Sequence, residues 1–314
     1  MGLPVTVYRY TDAGAPQLVN SSASEWITIL KKCLVEGYGS KAPLGWTVAF
    51  EDALNFKIAF RNTTLNGGSG GYFQFNGPNT ANATCTLRCA ASMAALDSFI
   101  KQVPARGLQG QTTYRGWEII GTSRGFYLIL HRTNNLLMSD STSTSTYIYF
   151  QMYFIGDIDS LYANDQSLFT LVSGTNGAAT TNSFGVNHLT RYATFYDTDA
   201  GAGSAIEYSA IAFFPMIANT AYNVNAETAG LQHILSPVTL TCSNTTTDRN
   251  GVLAPSSLIT PLARARIPGL YQSSCMGYRN DNWPIDVPMN SVMHTLLRSS
   301  YAPSLWINMV SWYE

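Results

Sequence analysis

The stretch from 117 to 159 constrains the fold of this 314-residue chain more than any other part of it. Apolar and aromatic residues at 117–120 and 126–131 flank a glycine-rich turn, and a third segment, 147–155, alternates with a period of two. Alternation predicts β-strands, because successive side chains of a strand point to opposite faces of a sheet. Aromatic residues occupy both faces of the third segment, so we expect these strands to lie in a sheet covered on both sides.

The N-terminal half combines further strands with one well-marked helix. Ser22 and Glu25 match a capping box, in which a serine at the helix start and a glutamate three residues later satisfy each other's backbone N–H groups. Apolar residues then recur with helical spacing up to Gly37, a residue type common at helix ends. We predict strands at 5–10, 46–50, 56–60, 72–75 and 83–90, and a short helix at 93–103.

The character of the sequence changes after residue 159. Long loops of small and polar residues, at 173–182, 197–204 and 243–251, separate short strands. This pattern predicts a loop-rich antiparallel β region. The expected fold class is therefore α+β and β-rich: an N-terminal α+β sheet layer with one amphipathic helix at 1–156, then a β-rich, loop-elaborated domain at 157–314. One continuous fold is the alternative to two domains.

Composition narrows the class of protein. Charged residues make up only 12% of the chain, about half the usual share, so Asn, Ser, Thr, Gln and Tyr must supply most of the polar surface. Depletion of charge with many aromatic residues is typical of the cores of subunit interfaces. A net charge of −1 without any Lys/Arg block disfavours general nucleic-acid binding. No signal peptide and no bilayer-spanning apolar run is apparent.

Motifs that could carry chemistry are weak. Residues 121–125 match the G-x-S-x-G pattern of hydrolases, but a strand rather than a helix follows, which predicts a hairpin turn. The glycine-rich segment 66–71 lacks the lysine of a phosphate-binding loop and predicts a hairpin loop. The cysteines are irregularly spaced and form no zinc-binding pattern, which predicts buried free thiols. Cys85 and Cys89 are expected on the same face of one strand. The five cysteines are Cys33, Cys85, Cys89, Cys242 and Cys275.

Acidic residues and histidines show no complete catalytic or metal-binding pattern. The pairs Asp157/Asp159 and Asp197/Asp199 hint at calcium but complete no known loop, so surface turns are the favoured interpretation. The histidines His131, His188, His233 and His294 are scattered, and His131 is expected to end a strand. Glycoside hydrolysis needs two close carboxylates, which sequence spacing cannot test. We predict a non-enzyme without catalytic, metal-binding or cofactor-binding residues.

Three stretches resemble a family of uncharacterised tailed-bacteriophage virion proteins. The stretches are VTVYRYTDAGAP at 5–16, CLVEGYGSKAPLGWT at 33–47, and ARIPGLY at 265–271. A similar N-terminal strand, helix and "GYGSK…GWT" loop recur in that family, with a similar "R-I/L-P-G-L-Y/W" stretch near the C-terminus. The resemblance implies a structural part of the particle. No catalytic residues belong to the family pattern, so none is carried over.

We therefore expect a structural component of a tailed-phage virion, an accessory head or tail (neck or baseplate) protein that acts through repeated subunit contacts. Its expected partners are other virion proteins and further copies of itself, with no nucleic acid and no membrane. Its expected location is the virion, after synthesis in the host bacterial cytoplasm. The alternatives are a host-surface or glycan-binding tail protein and, third, a glycan hydrolase. The candidate subunit-contact residues are Asn176, Asn182, Trp306, Trp312 and Tyr313.

Overall fold

The computed structural model describes residues 2–110, 115–131, 150–173, 192–201, 205–211, 234–242, 245–253, 257–273, 282–297 and 305–314. These residues are mostly β-strand, and they contain one α-helix, α1 (Ala23–Lys31). The strands are β1 (Leu3–Pro4), β2 (Thr6–Arg9), β3 (Thr47–Asp52), β4 (Lys57–Arg61), β5 (Tyr72–Asn76), β6 (Thr84–Ala95), β7 (Ser98–Gln102), β8 (Arg106–Gln109), β9 (Gly116–Gly121), β10 (Gly125–His131), β11 (Phe150–Asp157), β12 (Asp159–Ser160), β13 (Phe169–Val172), β14 (Tyr192–Phe195), β15 (Ile206–Ile211), β16 (Leu235–Thr241), β17 (Ala263–Ser273), β18 (Asp286–Met289), β19 (Val292–Leu296), β20 (Leu305–Asn308) and β21 (Ser311–Trp312).

Helix α1 forms as its sequence predicts. The carboxylate of Glu25 accepts a hydrogen bond from the backbone N–H of Ser22 at 3.2 Å, which completes the reciprocal cap at the helix start. A π-helical turn, Lys32–Glu36, extends the helix, and Gly37 ends it with a left-handed φ of +79°. The side chains of Trp26, Ile29 and Leu30 are buried and Ile27 is partly buried, so the predicted amphipathic face packs against the core.

A five-stranded antiparallel sheet in the order β13-β11-β10-β9-β2 forms the centre of the molecule. Every residue of β9 and β10 is buried, and the two strands form a hairpin in which Phe126 pairs with Gly121. On β11, Met152 and Phe154 point to one core while Tyr153 and Ile155 point to the other. The predicted coverage of both faces is confirmed for the described strands, whereas residues 147–149 lie outside them.

Two further sheets cover the central sheet. The N-terminal sheet, β3-β4-β5-β6-β7 with β8 beside β6, packs with α1 on one face, and Phe73 and Leu128 share that core. The C-terminal sheet, β14-β15-β16-β17-β20-β19-β18 with β12 beside β17, covers the other face, where Ile129 and Ile267 meet. Each β-layer thus buries one apolar face against the central sheet, which is the arrangement that hydrophobic burial favours.

The central and C-terminal sheets are linked at both edges. At one edge, the hydroxyl of Thr170 on β13 donates to the carbonyl of Thr194 on β14 at 3.0 Å. At the other, the guanidinium of Arg9 on β2 makes a bidentate pair with Asp286 on β18, both distances being 3.1 Å. These contacts cover strand edges that would otherwise be open.

The loop that follows the helix is fixed against β2. The hydroxyl of Tyr38 donates to the carboxylate of Asp12 at 2.9 Å, and the ammonium of Lys41 donates to the carbonyl of Val7 at 2.9 Å. Segments 5–16 and 33–47 therefore pack against each other.

The predicted short helix at 93–103 is wrong. Strand β6 continues to Ala95, and after a turn at Asp97, with φ +62°, β7 returns antiparallel to it. The segment adopts extended structure because this conformation buries Met93 and packs Phe99 against an outer apolar cluster that includes Tyr72. Packing of this kind routinely overrides helix propensity.

The β-rich, antiparallel character and the capped helix at the start of the chain are confirmed for the described residues. Strand β11 runs across the boundary expected near 156, and β1 pairs with β21 at the other end of the chain. The division into domains 1–156 and 157–314 stays a prediction.

Candidate functional site

A small polar cleft lies where β17 meets the C-terminal segment. Its volume is about 70 Å³, which leaves room for several water molecules. We call it the C-terminal cleft, and it is lined by Asp159, Pro237, residues 266–271 and residues 311–314. The third stretch of family resemblance, 265–271, thus forms one wall of the cleft, and two candidate contact residues, Trp312 and Tyr313, form part of another.

The backbone of β17 is shaped by Pro268 and Gly269 at this wall. Gly269 has φ +68°, and a Cβ atom placed there would lie 2.0 Å from the indole Nε1 of Trp312. The indole is held in place because it donates to the carbonyl of Asn308 at 2.7 Å. The carbonyl of Pro268 accepts a hydrogen bond from the buried hydroxyl of Tyr127 at 2.7 Å. A glycine is therefore required where the tryptophan packs.

Two carboxylates and one guanidinium give the cleft a negative balance. Burial raises the pKa of Asp159, and the guanidinium of Arg266, 4.0 Å away, opposes that shift. Burial and then the charge of Glu314 raise the pKa of Tyr271. Glu314 accepts a hydrogen bond from the hydroxyl of Ser311 at 2.6 Å. The cleft can therefore accept hydrogen bonds from a small polar or cationic group.

Tyr313 connects the cleft to a buried aspartate. Its hydroxyl donates to the backbone carbonyl of Asp157 at 2.6 Å, and the guanidinium of Arg124 lies 4.0 Å from the centre of its ring. The carboxylate of Asp157 accepts from the side-chain amide of Asn62 at 2.9 Å and from the backbone N–H of Ser69 at 2.8 Å. Burial raises the pKa of Asp157, against the opposing effect of these hydrogen bonds and of Arg124.

The glycine-rich loop between β4 and β5 is anchored by these contacts. The predicted hairpin loop at 66–71 is confirmed, and the turn at 121–125 joins β9 to β10 as a hairpin, also as predicted. Asn66 in the loop donates to the hydroxyl of Ser123 in the turn at 3.1 Å. Ser123 therefore lies between two strands rather than at the strand-to-helix turn that a hydrolase nucleophile occupies.

A second polar group lies between the central and C-terminal sheets, and sequence reasoning missed it. Glu118 on β9 lies 3.3 Å from the Nε of Arg9 and 3.4 Å from the Nε2 of His131. The side chains of Glu118 and His131 are 2% and 1% exposed. Asp286 and the ring of Trp283 complete the group, which we call the seam network. His131 ends β10, as predicted. The seam network could have been recognised in the sequence from Glu118, a charged residue within an otherwise apolar strand.

The candidate contact residues lie in different environments. Trp306 and Trp312 are each 1% exposed and pack inside the chain, whereas Tyr313 is partly buried at the C-terminal cleft. Asn176 and Asn182 lie outside the described residues. The role of all five residues in subunit contacts stays a prediction.

The acidic pair at 197–199 is neutralised within the chain. Arg249 forms ion pairs with Asp197 and Asp199, and the hydroxyl of Thr260 donates to Asp197 at 3.1 Å. Asp199 lies in a surface turn as predicted, but Asp197 is buried and so is Asp157 on β11, so the surface interpretation is wrong for these two residues. Within the described ranges, no group of three or more His, Cys, Asp or Glu residues is arranged to hold a metal ion.

The cysteines that the structure describes are free and buried. They are Cys33, Cys85, Cys89 and Cys242, whereas Cys275 lies outside the described residues. Cys85 and Cys89 share the inner face of β6, as predicted, and burial raises the pKa of Cys85 to about 12. A thiol with so high a pKa is a poor nucleophile at neutral pH.

Comparisons with known proteins leave the family open. No protein-family model matches the chain, and a search of curated proteins also finds no match. Across the part of the chain that is described, no helix combines the length and apolarity needed to cross a membrane.

Proposed function

We propose that the chain is a structural subunit of a tailed-phage virion, an accessory head or tail protein that acts through repeated contacts with other virion proteins and copies of itself. The low share of charged residues and the three stretches of resemblance support this proposal. Location in the virion and the absence of enzymatic activity are parts of the same proposal.

The observation that carries the proposal is a set of exposed apolar side chains on β7 and on two segments that hydrogen bonds hold near it. Val252, Leu253 and Leu258 are 44%, 55% and 81% exposed, and Ile100 on β7 is 55% exposed. We call these four residues the apolar loop patch. Contiguous exposed apolar surface marks interaction sites, whereas apolar side chains exposed singly are ordinary.

Hydrogen bonds hold the segments of this patch together. The hydroxyl of Thr198 donates to the carbonyl of Leu258 at 3.0 Å, and Arg249 pairs with Asp199. The ammonium of Lys101, next to Ile100, donates to the carbonyl of Ala200. The described part of the long loop predicted at 197–204 therefore lies beside the patch. Loops that are ordered before binding lose less conformational entropy when a partner docks.

A matched pair of variants tests the proposal. Leu258→Asp places a charge in the patch, whereas Leu54→Asp places one at an isolated leucine that is 90% exposed, in the turn between β3 and β4. We expect Leu258→Asp to reduce incorporation into particles at least tenfold, measured by quantitative blotting of purified virions, and Leu54→Asp to leave it unchanged. Normal incorporation of both variants, or absence of the wild-type chain from particles, would refute the proposal.

A glycan-binding tail protein is the second candidate, and the C-terminal cleft is the observation that favours it. Carboxylates, a guanidinium and the phenol of Tyr271 converge there, and sugar hydroxyls bind to such groups. We expect a glycan array to report binding that Asp159→Asn abolishes if this candidate is correct. A silent array together with normal particle incorporation favours the structural proposal.

A further inference from the structure

A void lies between the central and C-terminal sheets, next to the seam network. Its volume is about 10 Å³. It is lined by Glu118, Ile120, Ile129, Trp283, Thr295, Leu296 and Leu297. Two of these seven residues contribute polar side chains from opposite sheets, Glu118 from β9 and Thr295 from β19. The void is therefore not the purely apolar type of cavity that stays dry.

The hydroxyl of Thr295 has no hydrogen-bond partner among the described residues. Thr295 is 2% exposed, and its Oγ1 is shielded from bulk solvent. An unpaired buried hydroxyl is strongly unfavourable, and nearly all buried polar groups in folded proteins bond either to protein or to ordered water. The structure thus places a residue whose buried hydroxyl has no partner among the described residues on the lining of this void.

Glu118 has hydrogen-bonding capacity left on the same space. Arg9 lies 3.3 Å from its Oε2 and His131 lies 3.4 Å from its Oε1. A carboxylate offers about four acceptor positions, so these two neighbours do not saturate it. The charge of Glu118 is already faced by Arg9, and apart from Thr295 the other residues that line the void are aliphatic or aromatic. These features favour a small neutral ligand over a second cation.

We propose that this void is a binding site for one water molecule, which bridges the carboxylate of Glu118 and the hydroxyl of Thr295. The volume matches one water-sized sphere, and the water would have two charged or polar partners, within the range found for buried waters. The water donates one hydrogen bond to the carboxylate of Glu118. It forms a second hydrogen bond with the hydroxyl of Thr295, which can act as donor or acceptor. It links β9 of the central sheet to β19 of the C-terminal sheet, beside the seam network.

Whether Thr295→Val lowers or raises the stability of the fold distinguishes a hydrated void from a dry one. Thr295→Val has nearly the same shape but lacks the hydroxyl. If a water bridges the two residues, the variant loses a hydrogen bond, and we expect its unfolding equilibrium constant to rise about fivefold. If the void is dry, Thr295→Val removes an unpaired buried hydroxyl, and the variant unfolds less readily than the wild type. Thr295→Ser keeps the hydroxyl and isolates the contribution of the methyl group.

Thr170→Val measures the stability lost when a threonine hydroxyl with a known partner is removed, because the Thr170 hydroxyl donates directly to the carbonyl of Thr194. This loss is expected whether or not the void holds a water molecule. Urea titration of the full chain measures all three variants. A high-resolution crystal structure of the wild type is the independent readout should a variant fail to fold. Electron density for one water between Glu118 and Thr295 supports the site. An empty void, or a Thr295→Val variant more stable than the wild type, overturns it.

Discussion

Replacing Gly269 by alanine tests the reasoning about the wall of the C-terminal cleft. Gly269 combines a left-handed backbone, φ +68°, with direct packing against the indole of Trp312. An added Cβ atom would lie 2.0 Å from Nε1 and 2.5 Å from Cδ1 of that ring. Such distances are far inside van der Waals contact, so the indole has to move.

Three contributions to the loss of stability follow from this geometry. A left-handed conformation costs an alanine about 1–2 kcal/mol. Displacing the indole breaks its bond to the carbonyl of Asn308, worth about 1 kcal/mol. Overpacking of the surrounding core adds about 1–3 kcal/mol. We therefore expect Gly269→Ala to lower the free energy of unfolding by about 3–6 kcal/mol.

Gly251→Ala is the matched control, measured in the same urea titrations. Gly251 has φ +77°, but no atom of the described residues lies within 4 Å of the position that an added Cβ would occupy, so only the backbone contribution of about 1–2 kcal/mol applies. In a Trp312→Leu background, Gly269→Ala should be less harmful, with a coupling free energy above about 1 kcal/mol. Equal losses for the two glycines, or no coupling to Trp312, would show that the packing argument is wrong.

Two further predictions concern ionisable groups. Lys57 and then Gln74 hold the pKa of Asp97 below its usual value by hydrogen bonding, so Asp97 stabilises the fold above the pKa of the unfolded chain, and this contribution is lost as pH falls through the lowered pKa. Asp97→Asn should therefore destabilise the chain at pH 7 but not at pH 2, as measured by urea titration; an equal loss at both values contradicts the assignment. Burial raises the pKa of Cys85 and of Cys89, so neither thiol should react with a thiol reagent at pH 8 until urea unfolds the chain, as followed by mass spectrometry of labelled peptides. Labelling of either residue in the native chain would contradict their placement in the core.

Local patterns in the sequence predicted the elements whose neighbours are close in the chain. The capping box at Ser22 and the hairpin around 121–125 depend on contacts within a few residues, and both formed as expected. The segment 93–103 failed for the opposite reason. Its Met, Ala and Leu residues favour a helix locally, but packing of Met93 in a distant cluster decides its conformation.

The sites could not be predicted because strand pairing assembles them from distant segments. Glu118 meets Arg9 through the register of β9 with β2, and Asp286 arrives from the C-terminal sheet. Asp159 and Glu314 share a cleft only because the sheets stack as they do. Sequence alternation fixes which face of a strand a side chain occupies, but not which strand lies opposite.

The burial of β10 on both faces has a consequence for the sequences that this fold tolerates. An ordinary strand at the surface offers every second position to solvent, where substitutions to polar residues are nearly neutral. All seven residues of β10 are buried, so the strand offers no such position. Substitutions that the fold tolerates should therefore accumulate in the outer sheets and their loops. These surfaces can change to contact new binding partners while the central hairpin stays the same.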